Sequence, residues 1–170
     1  MNETIIGIDP DSNGAVAIRY KGGEVTIESL RFVAPGEVDL SWLKEFLSDF
    51  EYGLDLCGNI TRVYIERQRL VFIPPRGGRK STIAVRSSVT LAKIEYSIRG
   101  LLAGMNISME SIPPGSWKKA FVHGKEAMLP VAARMFPSVV WTGNAKKKEG
   151  QATALTLAEW GVREREGRPK

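Results

Sequence analysis

The segment IIGIDPDSNGAVAI, residues 5–18, contains two apolar runs that are separated by a short polar stretch. The stretch PDSNG is rich in residues that favour tight turns, so the apolar runs are predicted to pair as a β-hairpin with strands over 4–9 and 15–20. Asp9 ends the first of these strands. Because an ionised carboxylate is costly to bury without compensation, Asp9 is the first candidate for a functional residue.

The rest of the chain alternates between apolar patterns that are typical of strands and of helices. We predict further strands over 25–33, 62–66 and 107–112, and helices over 39–50, 83–104, 114–121, 125–136 and 151–160. Asp39 or Ser41 is placed to cap the helix over 39–50. This order predicts an α/β fold in which helices cover a sheet, with one domain over 1–162 and a charged tail over 163–170.

Composition limits the classes of function. With 43% hydrophobic and 25% charged residues, the 170-residue chain is typical of a folded globular domain rather than a disordered one. Lysine and arginine outnumber the acids by 24 to 19, and the net charge of +5 favours a polyanionic partner. A single cysteine, Cys57, excludes an internal disulfide, and a single histidine, His123, disfavours a Ser-His-Asp centre.

The sequence contains no signal for a membrane. No apolar run approaches the roughly 20 residues of a membrane-spanning helix, and the N-terminus lacks the basic segment of a signal peptide. We therefore expect a soluble, intracellular protein of the cytoplasm, the nucleoid or an organelle, with no membrane partner.

A second acid, Glu66, ends the strand predicted over 62–66, just as Asp9 ends the first strand. If the two strands are neighbours, their carboxylates meet at one edge of the sheet, and a cation between them would offset their repulsion. Carboxylate oxygens favour Mg²⁺ or Mn²⁺, and such ions activate water in phosphodiester hydrolysis. The alternative, which the residues alone leave open, is that Asp9 caps the turn and Glu66 pairs with Arg67 or Arg69.

The last helix carries a third acid. In the segment KKKEGQATALTLAEW, Glu149 lies near the helix N-terminus, where a negative charge interacts favourably with the helix dipole. Residue 153 follows one turn later on the same helix face. This face is therefore the expected source of the remaining ligands.

Together these motifs resemble the RuvC-type Holliday junction resolvases of the RNase H-like superfamily. The matching segments are IIGIDPDSNGAVAI, VYIERQ and QATALTLAEWG, and SIPPGSWKKAF followed by EAMLPVAARMFPS resembles the chloroplast and phage-type branch. The resemblance spans residues 5–161. It implies an RNase H-like α/β fold, with a five-stranded mixed sheet flanked by helices. It also implies a homodimer that resolves four-way DNA junctions by paired nicking with Mg²⁺, for which Mn²⁺ is expected to substitute.

Carried over by position, the resemblance makes Asp9 and Glu66 metal ligands and puts Glu149 in the region of the third. In this family an acid precedes the ALxLA-like run, but here that residue is Thr153. A hydroxyl is a weak, neutral ligand. Three explanations stay open, namely compensation by Glu149 and a water, a naturally weakened enzyme, or an inactivating substitution. The predicted catalytic residues are Asp9, Glu66, Glu149 and Thr153.

Basic residues occur in three groups around these motifs, and each could contact DNA phosphates. The predicted DNA-binding residues are Arg67, Arg69, Phe72, Arg76, Arg79, Lys80, Arg86, Lys118, Lys119, Lys125, Lys146, Lys147 and Lys148. Phe72 is the exception to the charge pattern. An aromatic side chain in this loop either inserts between bases at the junction centre or packs beneath the loop.

Two other functions compete with the nuclease. Thr153 favours a protein that binds junctions or branched DNA without cutting them. The segment GIDPDSNG also resembles the phosphate loop of sugar kinases, but a kinase of that type needs a second phosphate loop and a longer chain. For the homodimer, the long helix over 83–104 is the expected contact element.

Overall fold

The computed structural model describes residues 4–20, 22–55, 61–68, 82–122 and 126–167, without the side chains of 49–55, 61 and 82–87. The strands are β1 (Thr4–Asp9), β2 (Ala15–Arg19), β3 (Val25–Ser29), β4 (Phe32–Ala34), β5 (Glu37–Val38), β6 (Thr61–Glu66) and β7 (Met109–Ile112). Five of them form one sheet in the order β3-β2-β1-β6-β7. The strands β1 to β3 pair antiparallel, whereas β6 and β7 run parallel to β1. The predicted five-stranded mixed sheet is therefore confirmed.

Helices cover both faces of the sheet. They are α1 (Leu40–Asp55), α2 (Thr82–Gly104), α3 (Pro114–Trp117), α4 (Met128–Met135) and α5 (Ala145–Arg165), with a 3-10 turn over Lys118–Ala120. Apolar residues of α1 and α2 form one core with the sheet, and those of α3, α4 and α5 form a second core on its opposite face. Among the described residues, no helix combines the length and hydropathy that crossing a bilayer requires.

Alternation along the strands sends Asp9 and Glu66 to the same face of the sheet. In β1, Ile6 and Ile8 belong to the core beneath α1 and α2, so Asp9 points with the odd-numbered residues toward α5. In β6, Ile65 belongs to the same core as Ile8, so Glu66 points toward α5 as well. The parallel register pairs Ile8 with Ile65, which makes Asp9 and Glu66 direct neighbours.

A glycine allows α5 to lie close to this face. A Cβ on Gly7 would collide with the backbone of Ala154 and Ala158 in α5. The helix is buried on every side between Gly150 and Gly161 because it lies directly on the central strands. The small residue in β1 therefore sets how near α5 comes to the acids.

Several element boundaries differ from the predictions. The strand predicted over 25–33 is split, since β3 ends at Ser29 and β4 forms a separate small hairpin with β5. At the break, the amide of Leu30 donates to the carbonyl of Gly14 in the β1–β2 turn. The apolar alternation changes phase at this point, from Val25 and Ile27 to Leu30 and Phe32, so the sequence itself carries a signal of the bend that a single strand over 25–33 overlooks. Of the two capping candidates for α1, Asp39 is confirmed because its carboxylate accepts from the Trp42 amide at 3.0 Å.

The helix ends also depend on contacts that are distant in sequence. The helix predicted over 125–136 begins at Met128, and the one predicted over 114–121 changes to a 3-10 turn at Lys118. The helix predicted over 151–160 begins at Ala145 and continues to Arg165. Its start is set by Asn144, whose side chain accepts from the Lys147 amide at 3.0 Å.

Candidate active site

The carboxyl ends of β1 and β6 open into a cavity of about 440 Å³, which we call the acid cavity. Its lining contains all four predicted catalytic residues. The described residues that line it are Asp9, Asp11, Asn13, Glu66, Gln68, Lys118, Lys146, Glu149, Gly150 and Thr153. The structure thus brings together side chains from two neighbouring strands, the β1–β2 turn, the 3-10 turn and α5.

Asp9 carries a charge that the fold does little to stabilise. The residue is 8% exposed. Burial raises the pKa of its carboxyl well above the usual value, and the nearby carboxylates of Glu66 and Asp11 raise it further. The ammonium of Lys118 acts in the opposite direction. An additional positive charge beside Asp9 would therefore be favourable.

Only one of the two carboxylate oxygens of Glu66 has a hydrogen-bond partner among the described residues. Its Oε1 accepts a hydrogen bond from Lys118 Nζ at 2.9 Å, whereas its buried Oε2 has no hydrogen-bond partner among the described residues. Burial raises the pKa of Glu66, and the Lys118 ammonium opposes that rise. The alternative pairing with Arg67 does not occur, since the Arg67 guanidinium donates to the carbonyl of Ser111 at 3.1 Å.

Asp9 and Glu66 are the donors that fit a divalent cation. Both are carboxylates, the ligand type that Mg²⁺ prefers, and the unpartnered Oε2 of Glu66 lacks the compensation that a buried polar atom needs. Within the described ranges, however, no group of three or more acid, histidine or cysteine side chains is arranged to hold a metal ion. A metal-binding role for Glu149 therefore stays a prediction.

Glu149 has a well-defined structural role. Its two carboxylate oxygens accept hydrogen bonds from the first two amides of α4, with Oε1 2.6 Å from the Met128 nitrogen and Oε2 3.0 Å from the Leu129 nitrogen. A carboxylate here satisfies helix amides that lack partners and complements the helix dipole. Each oxygen keeps a further lone pair. Glu149 thus lines the acid cavity while it holds α4 against α5.

Thr153 occupies the position in which the resemblance calls for an acid. It lies four residues after Glu149 on α5, lines the acid cavity and is 5% exposed. The start of α5 reaches the cavity because Gly150 has no side chain, and a Cβ there would collide with the carbonyl of Asn13. The helix therefore presents a neutral hydroxyl to a cavity whose other walls are strongly charged.

Solved structures similar to this chain include two Holliday junction resolvases. Thermus thermophilus RuvC in complex with a Holliday junction substrate matches with a TM-score of 0.52 and 12% identity, over 95% of this chain and 96% of that chain. The yeast mitochondrial Holliday junction resolvase Ydc2 matches with a TM-score of 0.53 and 13% identity, over 96% of this chain and 81% of that chain. The fold is that of the RuvC-type resolvases. The RNase H-like fold is thereby confirmed.

Comparison with other proteins adds nothing more specific. No protein-family model matches the chain, and no curated protein matches it significantly. The closer likeness to the chloroplast and phage-type branch of the RuvC-type resolvases stays a prediction.

On this RuvC-type fold, several predicted DNA-binding residues surround the acid cavity. Lys118 and Lys146 line it, and Lys118 and Lys119 also line a neighbouring cavity of about 380 Å³. Lys147 lines a third cavity beyond the β1–β2 turn, Lys148 is half-buried in α5, and Arg67 is exposed. The side chains of Arg69, Phe72, Arg76, Arg79, Lys80, Arg86 and Lys125 lie outside the described residues.

Other lining residues of the acid cavity were not among the predicted site residues. Asp11 accepts hydrogen bonds from the Ser12 hydroxyl at 2.9 Å and the Asn13 amide at 3.2 Å, which shapes the β1–β2 turn. The turn motif PDSNG was the available signal for these residues. Gln68 lies in the matching segment VYIERQ, but its place at the cavity depends on its backbone amide, which donates to the Glu95 carboxylate in α2 at 2.9 Å.

Proposed function

We propose that this protein is a structure-specific endonuclease that resolves four-way DNA junctions by metal-dependent paired nicking. The observation that carries the proposal is the pair of adjacent buried carboxylates, Asp9 and Glu66. The pKa values of both are raised, and Oε2 of Glu66 has no hydrogen-bond partner among the described residues. The likeness in fold to two resolvases supports the choice of substrate.

In this proposal Asp9 and Glu66 hold a divalent cation, Mg²⁺ or Mn²⁺. Such an ion, when bound, activates water and stabilises the leaving oxygen of a phosphodiester. Lys118 neutralises Glu66 in the structure, and its Nζ also lies 5.3 Å from the ring centroid of Trp117. Held between a carboxylate and an aromatic ring, this ammonium is well placed to receive a DNA phosphate beside the acids.

The same residues favour slow cleavage. Thr153 contributes no charge, and both oxygens of Glu149 are engaged by α4. A cation between Asp9 and Glu66 would therefore lack an acid at position 153 and would have to share Glu149 with α4. We propose Glu149 as a third ligand of this cation, and metal binding then competes with the hydrogen bonds that Glu149 accepts from the amides of Met128 and Leu129.

We also propose that the protein acts as a homodimer. Among the described side chains of α2, the large apolar residues Val89 and Tyr96 are 58% and 64% exposed. Two copies joined by a twofold axis would match a junction that is itself close to twofold symmetric. Each subunit would then cut one of two symmetry-related strands.

A protein that binds junctions without cutting them is the second candidate. Thr153 favours it, because the site loses one negative charge where the family has an acid. The two candidates share DNA binding and differ only in whether strands are cut.

The test compares a labelled four-way junction with a linear duplex of the same sequence, with Mg²⁺ or Mn²⁺, for the parent and for Asp9→Asn. We expect both proteins to prefer the junction, binding to weaken steeply with salt, and only the parent to nick. Equal affinity for junction and duplex would refute both candidates. Junction binding without nicking in either metal would refute the nuclease and leave the binding protein.

A further inference from the structure

A second large cavity lies on the other side of the β1–β2 turn from the acid cavity. Its volume is about 660 Å³, and the described residues that line it include the cations Arg31 and Lys147 and one acid, Glu28. It shares Asn13 with the acid cavity, so only the turn separates the two. We call it the Arg31 cleft.

The two cations of the Arg31 cleft are positioned but not neutralised. The guanidinium of Arg31 lies 4.8 Å from the ring centroid of Trp42, which restrains the side chain while leaving its charge available. The stem of Lys147 lies against Gly143, where a Cβ would come within 3.1 Å of it. Neither side chain forms a salt bridge with any described residue.

The walls of the cleft are joined by one buried amide. Gln151, which is 2% exposed, accepts from the Thr142 amide at 3.1 Å. Its Nε2 donates to the Ser29 hydroxyl at 3.0 Å and to the Thr142 hydroxyl at 2.9 Å. These bonds connect α5, the end of β3 and the loop before α5, so the cleft is a built feature rather than a chance arrangement of surface side chains.

We infer that the Arg31 cleft binds the phosphodiester backbone of a DNA arm as it leaves the acid cavity. The inference rests on the proposed function and adds a binding surface to it. Two unneutralised cations facing one acid favour a polyanion. A strand that is cut in the acid cavity must continue past its rim, and across the β1–β2 turn the Arg31 cleft is the adjoining basic cavity. Arg31 is the residue that this surface adds to the predicted DNA-binding set.

The experiment measures junction binding by fluorescence anisotropy as a function of salt, in the non-cleaving Asp9→Asn protein. We expect Arg31→Ala and Lys147→Ala each to weaken binding about 3- to 10-fold and to reduce the salt slope by about one unit. Arg31→Lys should keep the salt slope because it keeps the charge. The matched control is Lys44→Ala, which removes an exposed lysine of α1 that lines neither cavity, and it should change neither quantity.

A second measurement locates the contact. Junctions that carry a single neutral methylphosphonate are scanned along each arm, and the effect of Arg31→Ala should disappear at one or two adjacent positions. Thermal unfolding of each variant confirms that it is folded. Unchanged affinity and slope for both alanine variants, or an effect that no neutral phosphate removes, would overturn the inference while leaving the proposed function intact. If the Asp9→Asn protein itself shows no preference for junctions, the proposed function fails instead.

Discussion

Replacing Asp9 with asparagine should make the metal-free protein more stable, in contrast to most substitutions of buried residues. Burial and the nearby carboxylates of Glu66 and Asp11 disfavour the charge of Asp9, whereas asparagine keeps the shape and removes the charge. Single stabilising substitutions commonly contribute about 0.5–2 kcal/mol, and their recurrent cost is lost function at strained active sites, so we expect a gain in this range. For a chain of this size, each kcal/mol raises the melting temperature by about 2–4 °C.

The stability difference should depend on pH in a defined direction. The pKa of Asp9 is raised in the folded state, so the folded protein binds a proton more tightly than the unfolded chain, in which an aspartate titrates near pH 3.9. The stability that protonation supplies is fully present below about pH 4 and is lost as the pH rises through the raised pKa. Asp9→Asn should therefore match the parent in acid and exceed it at neutral pH.

The assay is thermal unfolding of both proteins across this pH range, first with a chelator and then with Mg²⁺. A ligand present at 100 times its dissociation constant stabilises by about 2.7 kcal/mol, so saturating Mg²⁺ should raise the melting temperature of the parent and leave Asp9→Asn almost unchanged. Asp39→Asn is the control, because asparagine caps a helix as well as aspartate does. A metal-free Asp9→Asn protein that is less stable than the parent at neutral pH would refute the reasoning, as would equal stabilisation of both proteins by Mg²⁺.

Three further substitutions test the site and its framework. Thr153→Glu restores an acid and should raise the single-turnover nicking rate at least about tenfold, which corresponds to about 1.4 kcal/mol in barrier height, and Mn²⁺ should partly rescue the parent. Brisk Mg²⁺-dependent cleavage by the parent, with no gain in the variant, would exclude residue 153 as a ligand position. Glu149→Ala removes the acceptor for two amides of α4 and should lower the free energy of unfolding in urea by about 1–2 kcal/mol, which is more than Glu149→Gln should. An unchanged unfolding curve for Glu149→Ala would contradict the capping role. Gly7→Ala forces a Cβ into the backbone of α5 and should lower the free energy of unfolding by about 1–3 kcal/mol, whereas the control Gly22→Ala adds a Cβ that would meet nothing. Equal stability of the two variants would show that α5 does not need this close approach.

Much of the fold was predictable because its signals are local. The turn motif PDSNG and the apolar runs on either side of it predict the β1–β2 hairpin, with Asp9 at the end of β1. The apolar run over 63–65 likewise predicts a strand that ends at Glu66. Since the side chains of a strand alternate with a period of two residues, the positions of these two acids follow once their strands are neighbours in the sheet.

The tertiary structure alone decided what those acids contact. Lys118 is 52 residues from Glu66 in sequence, and Glu149 reaches the amide of Met128 over 21 residues. Local sequence patterns do not predict such pairings, because these contacts form only when separate elements pack against the same sheet. For the same reason the sequence placed Glu149 among the acids near the site but did not reveal that its carboxylate already caps α4.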